Sequence, residues 1–227
     1  MYLHEEVLLL ALKDDSGKID WGAAHFHMVM AGAVIAELLL AERISVDEKK
    51  LVTLLDGGPH ENAVLNQALQ FLAAAKRRRK IQHWIGKLAT QKDLKTKTAA
   101  ALCNQGILEA EEAKVLFVFN KTTYPELNHE PERQLIARLK HAIFSDTDEV
   151  DARTALLISL TYPSGMLAIP FAVKELRKRK KRIKQITEGE VVGKATADAI
   201  AAMQAILAAV AVMPVITAAS SAGAPGC

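Results

Sequence analysis

The chain carries almost none of the signatures that announce an enzyme. It has no HExxH pattern, no paired-cysteine ligand spacing, no Walker phosphate loop, no GxGxxG fingerprint and no GxSxG elbow. Metal-assisted hydrolysis, nucleotide turnover, dinucleotide chemistry and nucleophile-elbow catalysis therefore lack the residues that each requires. His4 beside Glu5 and Glu6, and the alternating His25 and His27, read as core-edge or surface histidines. No catalytic residue, metal or cofactor is implied. Aromatic residues are scarce at 5% while alanine is abundant, which disfavours an all-β sandwich and favours packed helices. Cys103 lies in a helical pattern and Cys227 is the last residue, so no disulfide framework is expected and a reducing compartment follows. The opening MYLHEEVLLLALKDDSG puts acidic residues before a short apolar run and lacks the basic region and cleavage site of a secretory peptide.

What is present is a large reservoir of core. With 227 residues and 50% hydrophobic composition, one compact domain over residues 1–213 is the economical arrangement, followed by a flexible tail over 214–227. Helical spacing begins at His4–Leu12 and stops at the turn Asp14–Gly17. Ile19 and Trp21 suit a brief strand or a packed loop. From Ala23 to Ala41 the chain is almost wholly apolar, with Glu37 its one acidic residue, and this predicts a helix covered on most sides at the domain centre.

Two short strands with a turn near Asp47-Glu48 should follow, stopped by Gly57, Gly58 and Pro59. Helical patterns then recur at Glu61–Ala75, along the stripe Ile81, Trp84, Ile85 and Leu88, and at Lys92–Gln105, which Gly106 closes with a left-handed cap. Lys114–Phe119 reads as β structure and Asn120–Pro125 as a turn, before helices at Glu132–Ile143, Asp151–Leu160 and Glu175–Ile186. Ala195–Pro214, interrupted by Asp198 and Gln204, suits a buried terminal helix, with membrane contact as the alternative.

The net charge is only +3, but the cations are clustered. The run KRRRK at Lys76–Lys80 falls on a solvated connection between two helices. In VKELRKRKKRIKQI, Lys174, Arg177, Lys178, Lys181 and Arg182 recur at helical intervals and form a positive flank that could rest on anionic head groups. Lys92 and Lys95 have i,i+3 spacing, with Lys97 adding nearby charge, and could share one face that takes phosphate. Leu116 and Phe117 are the apolar hairpin residues best placed for self-association or membrane contact. A helix, turn and hairpin at Lys92–Phe119 can also mimic a winged helix, so salt-sensitive nucleic-acid binding is a competing class, and a scaffold acting through protein contacts alone is a third.

Four segments in order, LHEEVLLLALKDDSGKI, AGAVIAELLLAERI, GILEAEE…KVLFVFNKTTYPELN and DARTALLISL, resemble the Golgi phosphoprotein 3 (GPP34) family from about Tyr2 to Ala209. The resemblance implies a mainly α, single globular domain: a central buried helix bundle, surrounding amphipathic helices and a protruding β-hairpin. It also implies a peripheral adaptor that binds anionic phospholipid, in eukaryotic members phosphatidylinositol 4-phosphate, and engages cytoplasmic tails of membrane proteins, with a homo-oligomer also implied. Nucleic acid is a disfavoured partner in this light. Within the family's head-group pocket, Trp21 matches the tryptophan, and Lys92 and Lys95 match the paired basic residues. The arginine of the central helix is missing, because Met30 or Ala31 stands in its place, and a less selective anionic-lipid site is the expectation. The short tail and the absence of a long polar N-terminal extension point to a bacterial relative, cytoplasmic and peripherally membrane-associated.

Overall fold

A computed structural model describes residues 1–13, 16–23, 25–115 and 119–191, with the side chains of 113–121 outside that description. Two helices form its centre: α1 (Leu3–Ala11) and α2 (Phe26–Leu40) pack against each other. Helix α2 is the expected central helix, and its core-facing residues from Val29 to Leu38 are buried. Helix α1 departs from expectation. Its spacing suggests one apolar face, yet all nine residues are buried, His4, Glu5 and Glu6 included. Neighbours on every side explain this: α2, α5, α6 and α7 all touch α1.

Around this pair lie α3 (Ala63–Ala73), α4 (Ile81–Ala89), α5 (Leu94–Asn104), α6 (Glu130–Phe144), α7 (Ala152–Thr161), α8 (Val173–Lys178) and α9 (Lys180–Thr187). Local chemistry fixes several ends. Asn62 caps α3 by accepting from the Val64 and Leu65 amides, and Asp151 caps α7 by accepting from Thr154 at 2.9 Å. Gly106, at φ +71°, closes α5 as expected while Ile107 N–H donates back to Leu102. Truncating a fully buried side chain such as Leu38 to alanine would cost about 2–5 kcal/mol.

Strands β1 (Ile44–Val46) and β2 (Val52–Leu54) pair antiparallel about the Asp47 turn, as their pattern predicts. The hairpin comprises β3 (Glu111–Val115) and β4 (Phe119–Thr123) in the register Glu111↔Thr123 to Val115↔Phe119. Residues 120–123 are thus strand where a turn was expected; β-branched Thr122 and Thr123 suit the ladder, and the reversal falls before Phe119. The basic C-terminal segment is also not one helix. It breaks at Arg179, whose guanidinium is drawn onto the Ile143 and Ser145 carbonyls and Asp146. The terminal helix expected at Ala195–Pro214 and the domain boundary at 213/214 lie outside the described residues.

Candidate functional site

The chain leaves α1 through a turn that is tied both to itself and to the foot of the hairpin. Leu12 bridges to Ile19, Lys13 N–H donates to the Lys18 carbonyl at 2.9 Å, and Asp20 N–H reaches back to Ala11 at 2.7 Å. Gly17 sits at φ +56°, and its carbonyl accepts from Tyr124 N–H at 3.1 Å. A Cβ there would lie 2.1 Å from the Tyr124 carbonyl carbon and the Pro125 nitrogen, so only glycine permits this approach of two backbones. Asp20 then accepts from Gly22 N–H at 2.7 Å and turns the chain sharply at Trp21. The indole is left 91% exposed, which sets aside a core-filling role for it.

A cavity of about 430 Å³ opens at this junction, walled by Lys13, Lys18, Trp21, Lys95, Thr122 and Thr123. The Lys95 ammonium lies 5.3 Å from the centroid of the Tyr124 ring, a cation–π distance. Lys13 is partly neutralised by Asp20 at 3.7 Å. Cationic donors, threonine hydroxyls and an indole edge can together serve an anion that carries several oxygen acceptors. Burial raises the Tyr124 phenol above its ordinary value, so it is neutral at physiological pH.

Of the residues expected at this site, the structure brings Trp21 and Lys95 to one cavity and leaves the others elsewhere. Lys92 is exposed in the turn before α5, since that helix starts at Leu94; the shared helical face expected for Lys92 and Lys95 is not formed. Lys97 faces α3, with its ammonium 2.6 Å from Asp93 and 3.2 Å from Gln67. Its hydrogen bond to the Asp93 carboxylate, followed by that from Gln67, holds the Asp93 carboxyl below its usual range. Met30 and Ala31 are wholly buried in α2, so neither offers a donor. Leu116 and Phe117 lie outside the described residues.

The expected basic flank is thinner than its sequence. Lys174, Arg177 and Lys181 are exposed, and Lys178 pairs with Glu175 at 2.8 Å. Arg182 is buried and donates to the Ala142 and Thr147 carbonyls, so it braces α9 against the end of α6 and offers no surface charge. The sequence pattern also passed over Lys13, Gly17, Lys18, Thr122 and Thr123. Gly17 beside Lys18 was a visible turn signal; nothing local linked that turn to the strand that carries the threonines.

A second polar cluster lies inside the bundle. Arg153 grips Glu37 bidentately at 2.7 and 2.9 Å, and Leu3 N–H donates to the same carboxylate at 2.7 Å. Arg138 lies 2.9 Å from Glu6. Burial lowers the His4 imidazole to about 3, and its ring stacks on Tyr2 at 5.7 Å. Burial raises Glu5 and Glu6 above the usual carboxylate range. Glu37 and Arg153 answer each other in this cluster, while Glu6 Oε2 and both ring nitrogens of His4 are buried without a hydrogen-bond partner. Among the described residues no group of three or more His, Cys, Asp or Glu side chains could hold a metal ion, and no helix is long and apolar enough to cross a membrane.

The profile of the Golgi phosphoprotein 3 (GPP34) family matches residues 3–203. Vacuolar protein sorting-associated protein 74 of Eremothecium gossypii is 26% identical over an alignment covering 54% of this chain and 43% of that protein. The alignment thus spans less than half the length of this curated relative. A match across nearly the whole described structure, from α1 through α9, establishes that the chain belongs to the Golgi phosphoprotein 3 (GPP34) family.

Proposed function

We propose that this protein is a peripheral membrane adaptor that binds anionic phospholipid head groups at the junction of the α1–α2 turn and the hairpin foot. The observation that carries the reading is the 91% exposed Trp21 on the rim of a cavity that also holds Lys95. An indole with its face free and its N–H at the edge suits the polar–apolar boundary of a bilayer. Lysines beneath it supply charge-assisted hydrogen bonds to phosphate, each contributing about 1 kcal/mol near an anionic surface. Lys92, in the adjoining turn, and the exposed Lys174, Arg177 and Lys181 add attraction of longer range. The protein acts at the cytoplasmic face of a membrane without spanning it, and Leu116 and Phe117 serve membrane contact or pairing of copies. The name of the fungal relative, which refers to vacuolar protein sorting, accords with an adaptor role toward cytoplasmic tails of membrane proteins.

With lysines and no central-helix arginine, the site favours anionic charge in general; phosphatidylinositol 4-phosphate is one ligand among several. Co-sedimentation with neutral, phosphatidylglycerol and phosphatidylinositol 4-phosphate vesicles, matched in charge, tests this. Binding to both anionic kinds that weakens with salt and falls about fivefold or more in Lys95→Ala is expected. Binding of nucleic acid without vesicle binding would reverse the reading.

A further inference from the structure

A second cavity, sharing no residue with the first, lies between the end of α3 and α4. It measures about 430 Å³; Phe71, Ala74, Ala75 and Trp84 form its apolar walls, and Lys76, Arg77, Arg79 and Lys87 its rim. The run that supplies this rim was expected to be an ordinary solvated connection. Its five residues are all exposed, as expected, while its backbone is anchored beside β2, with Val52 N–H donating to the Arg79 carbonyl and, next to the run, Ile81 N–H to the Lys50 carbonyl, both at 2.9 Å. Of the run, Arg78 pairs with Asp47; among the described residues no carboxylate lies within ion-pair distance of Lys76, Arg77, Arg79 or Lys87. The Lys87 ammonium is held 4.3 Å from the Phe71 ring centroid and 5.6 Å from that of Trp84. Trp84 is itself buried, and its indole nitrogen has no hydrogen-bond partner.

We propose that this α3–α4 cleft is a second lipid site, which takes the phosphate of an anionic phospholipid on the Arg77, Arg79 and Lys87 rim and the start of its acyl region against Phe71 and Trp84. Charge complementarity alone would admit any polyanion. The aromatic groups narrow the choice, because Lys87 already covers Phe71 and Trp84, and His83 stands edge-on to Trp84 at 5.3 Å. Trp84 is buried and offers no open indole face to stack a base, whereas a narrow apolar wall beneath a cationic rim matches an amphiphile. The lipid class rests on the function proposed above; the place does not. With two separate contacts on one bilayer, engagement of the second becomes intramolecular once the first has formed.

The chain has two tryptophans, so Trp21→Phe leaves Trp84 as the sole reporter. Its fluorescence would be read against phosphatidylglycerol and phosphatidylcholine vesicles with brominated acyl chains, and against monomeric dihexanoyl phosphatidylglycerol, which reports on the cleft even where loss of Trp21 weakens attachment. The expected result is quenching by the brominated anionic vesicles, a spectral shift with the monomer, and no response to phosphatidylcholine. In a background with Trp21 intact, Arg77→Ala/Lys87→Ala should weaken binding to phosphatidylglycerol vesicles by roughly 20-fold. An unchanged Trp84 signal with the monomer, or wild-type vesicle affinity in the double variant, overturns the second site. So does loss of oligonucleotide binding in that variant with vesicle binding intact. Wild-type affinity in Lys95→Ala would instead strike the function proposed for the first cavity and leave the Trp84 result standing.

Discussion

The inside of the bundle and the turn that leaves α1 handle charge in opposite ways. Inside, Glu37 and Arg153 meet in a bidentate pair, Glu6 faces Arg138, and His4 stays neutral, so ionisable groups are set against one another. At the turn, Lys13, Lys18 and Lys95 border an open cavity beneath an exposed indole, with Asp20 at 3.7 Å from Lys13. A buried charge without a counter-charge is costly, which is why Glu37 and Glu6 lie against arginines; a solvated lysine bears no such cost and can serve an external anion. The contrast separates residues that brace the fold from residues available to a ligand, although both kinds are charged.

That contrast can be broken from the inside first. Arg153→Met should leave Glu37, 4% exposed, with the Leu3 amide alone and lower unfolding stability by about 3 kcal/mol; Glu37→Gln in the same chain should restore much of it. Urea denaturation measures both. Gly17→Ala should cost about 2–3 kcal/mol through strain at positive φ and a clash with the Tyr124–Pro125 backbone. It should also weaken vesicle binding, because the cavity wall formed by Thr122 and Thr123 would move away from Trp21.

His4 sharpens the comparison through pH. Its folded pKa, about 3, lies below the ordinary 6.5, so the unfolded chain binds the proton first and stability is lost as pH falls from 6.5 toward 3. Between pH 7 and pH 5 the loss should be about 2 kcal/mol, and His4→Phe, which keeps the ring against Tyr2, should flatten it. Glu5 and Glu6 act with the opposite sign: their raised carboxyl pKa values favour the folded state more as acidification proceeds, which offsets part of the loss at lower pH. At the surface, Lys97→Ala should change stability by less than about 1 kcal/mol, because its partner Asp93 is solvated and keeps Gln67.

Much of this division was legible where the signal is local. The apolar run of α2, the Asp47 turn and the Gly106 cap can be read from neighbouring residues alone. Glu37 stands out in that run, but its partner Arg153 lies on α7, and no local pattern couples them. The burial of His4, Glu5 and Glu6 was hidden for the same reason: α1 has an amphipathic look, and four other helices decide that it has no solvent face. At the site, the match to family residues brought Trp21 and Lys95 together. Lys92 falls in the turn ahead of α5, since Asp93 starts the helix and bonds forward to Lys97. The hairpin boundaries slipped because VLFVF reads as a strand in isolation, while the ladder is set by the Glu111↔Thr123 register.

The central claim is that the lysines around Trp21 bind an anionic bilayer. The most direct measurement is co-sedimentation of the wild type, Trp21→Ala and Lys95→Ala with phosphatidylglycerol vesicles at two salt concentrations, with folding verified by circular dichroism. The account predicts salt-sensitive binding by the wild type and a loss of about fivefold or more in each folded variant. Equal sedimentation of all three proteins, or no sedimentation of any, would contradict it.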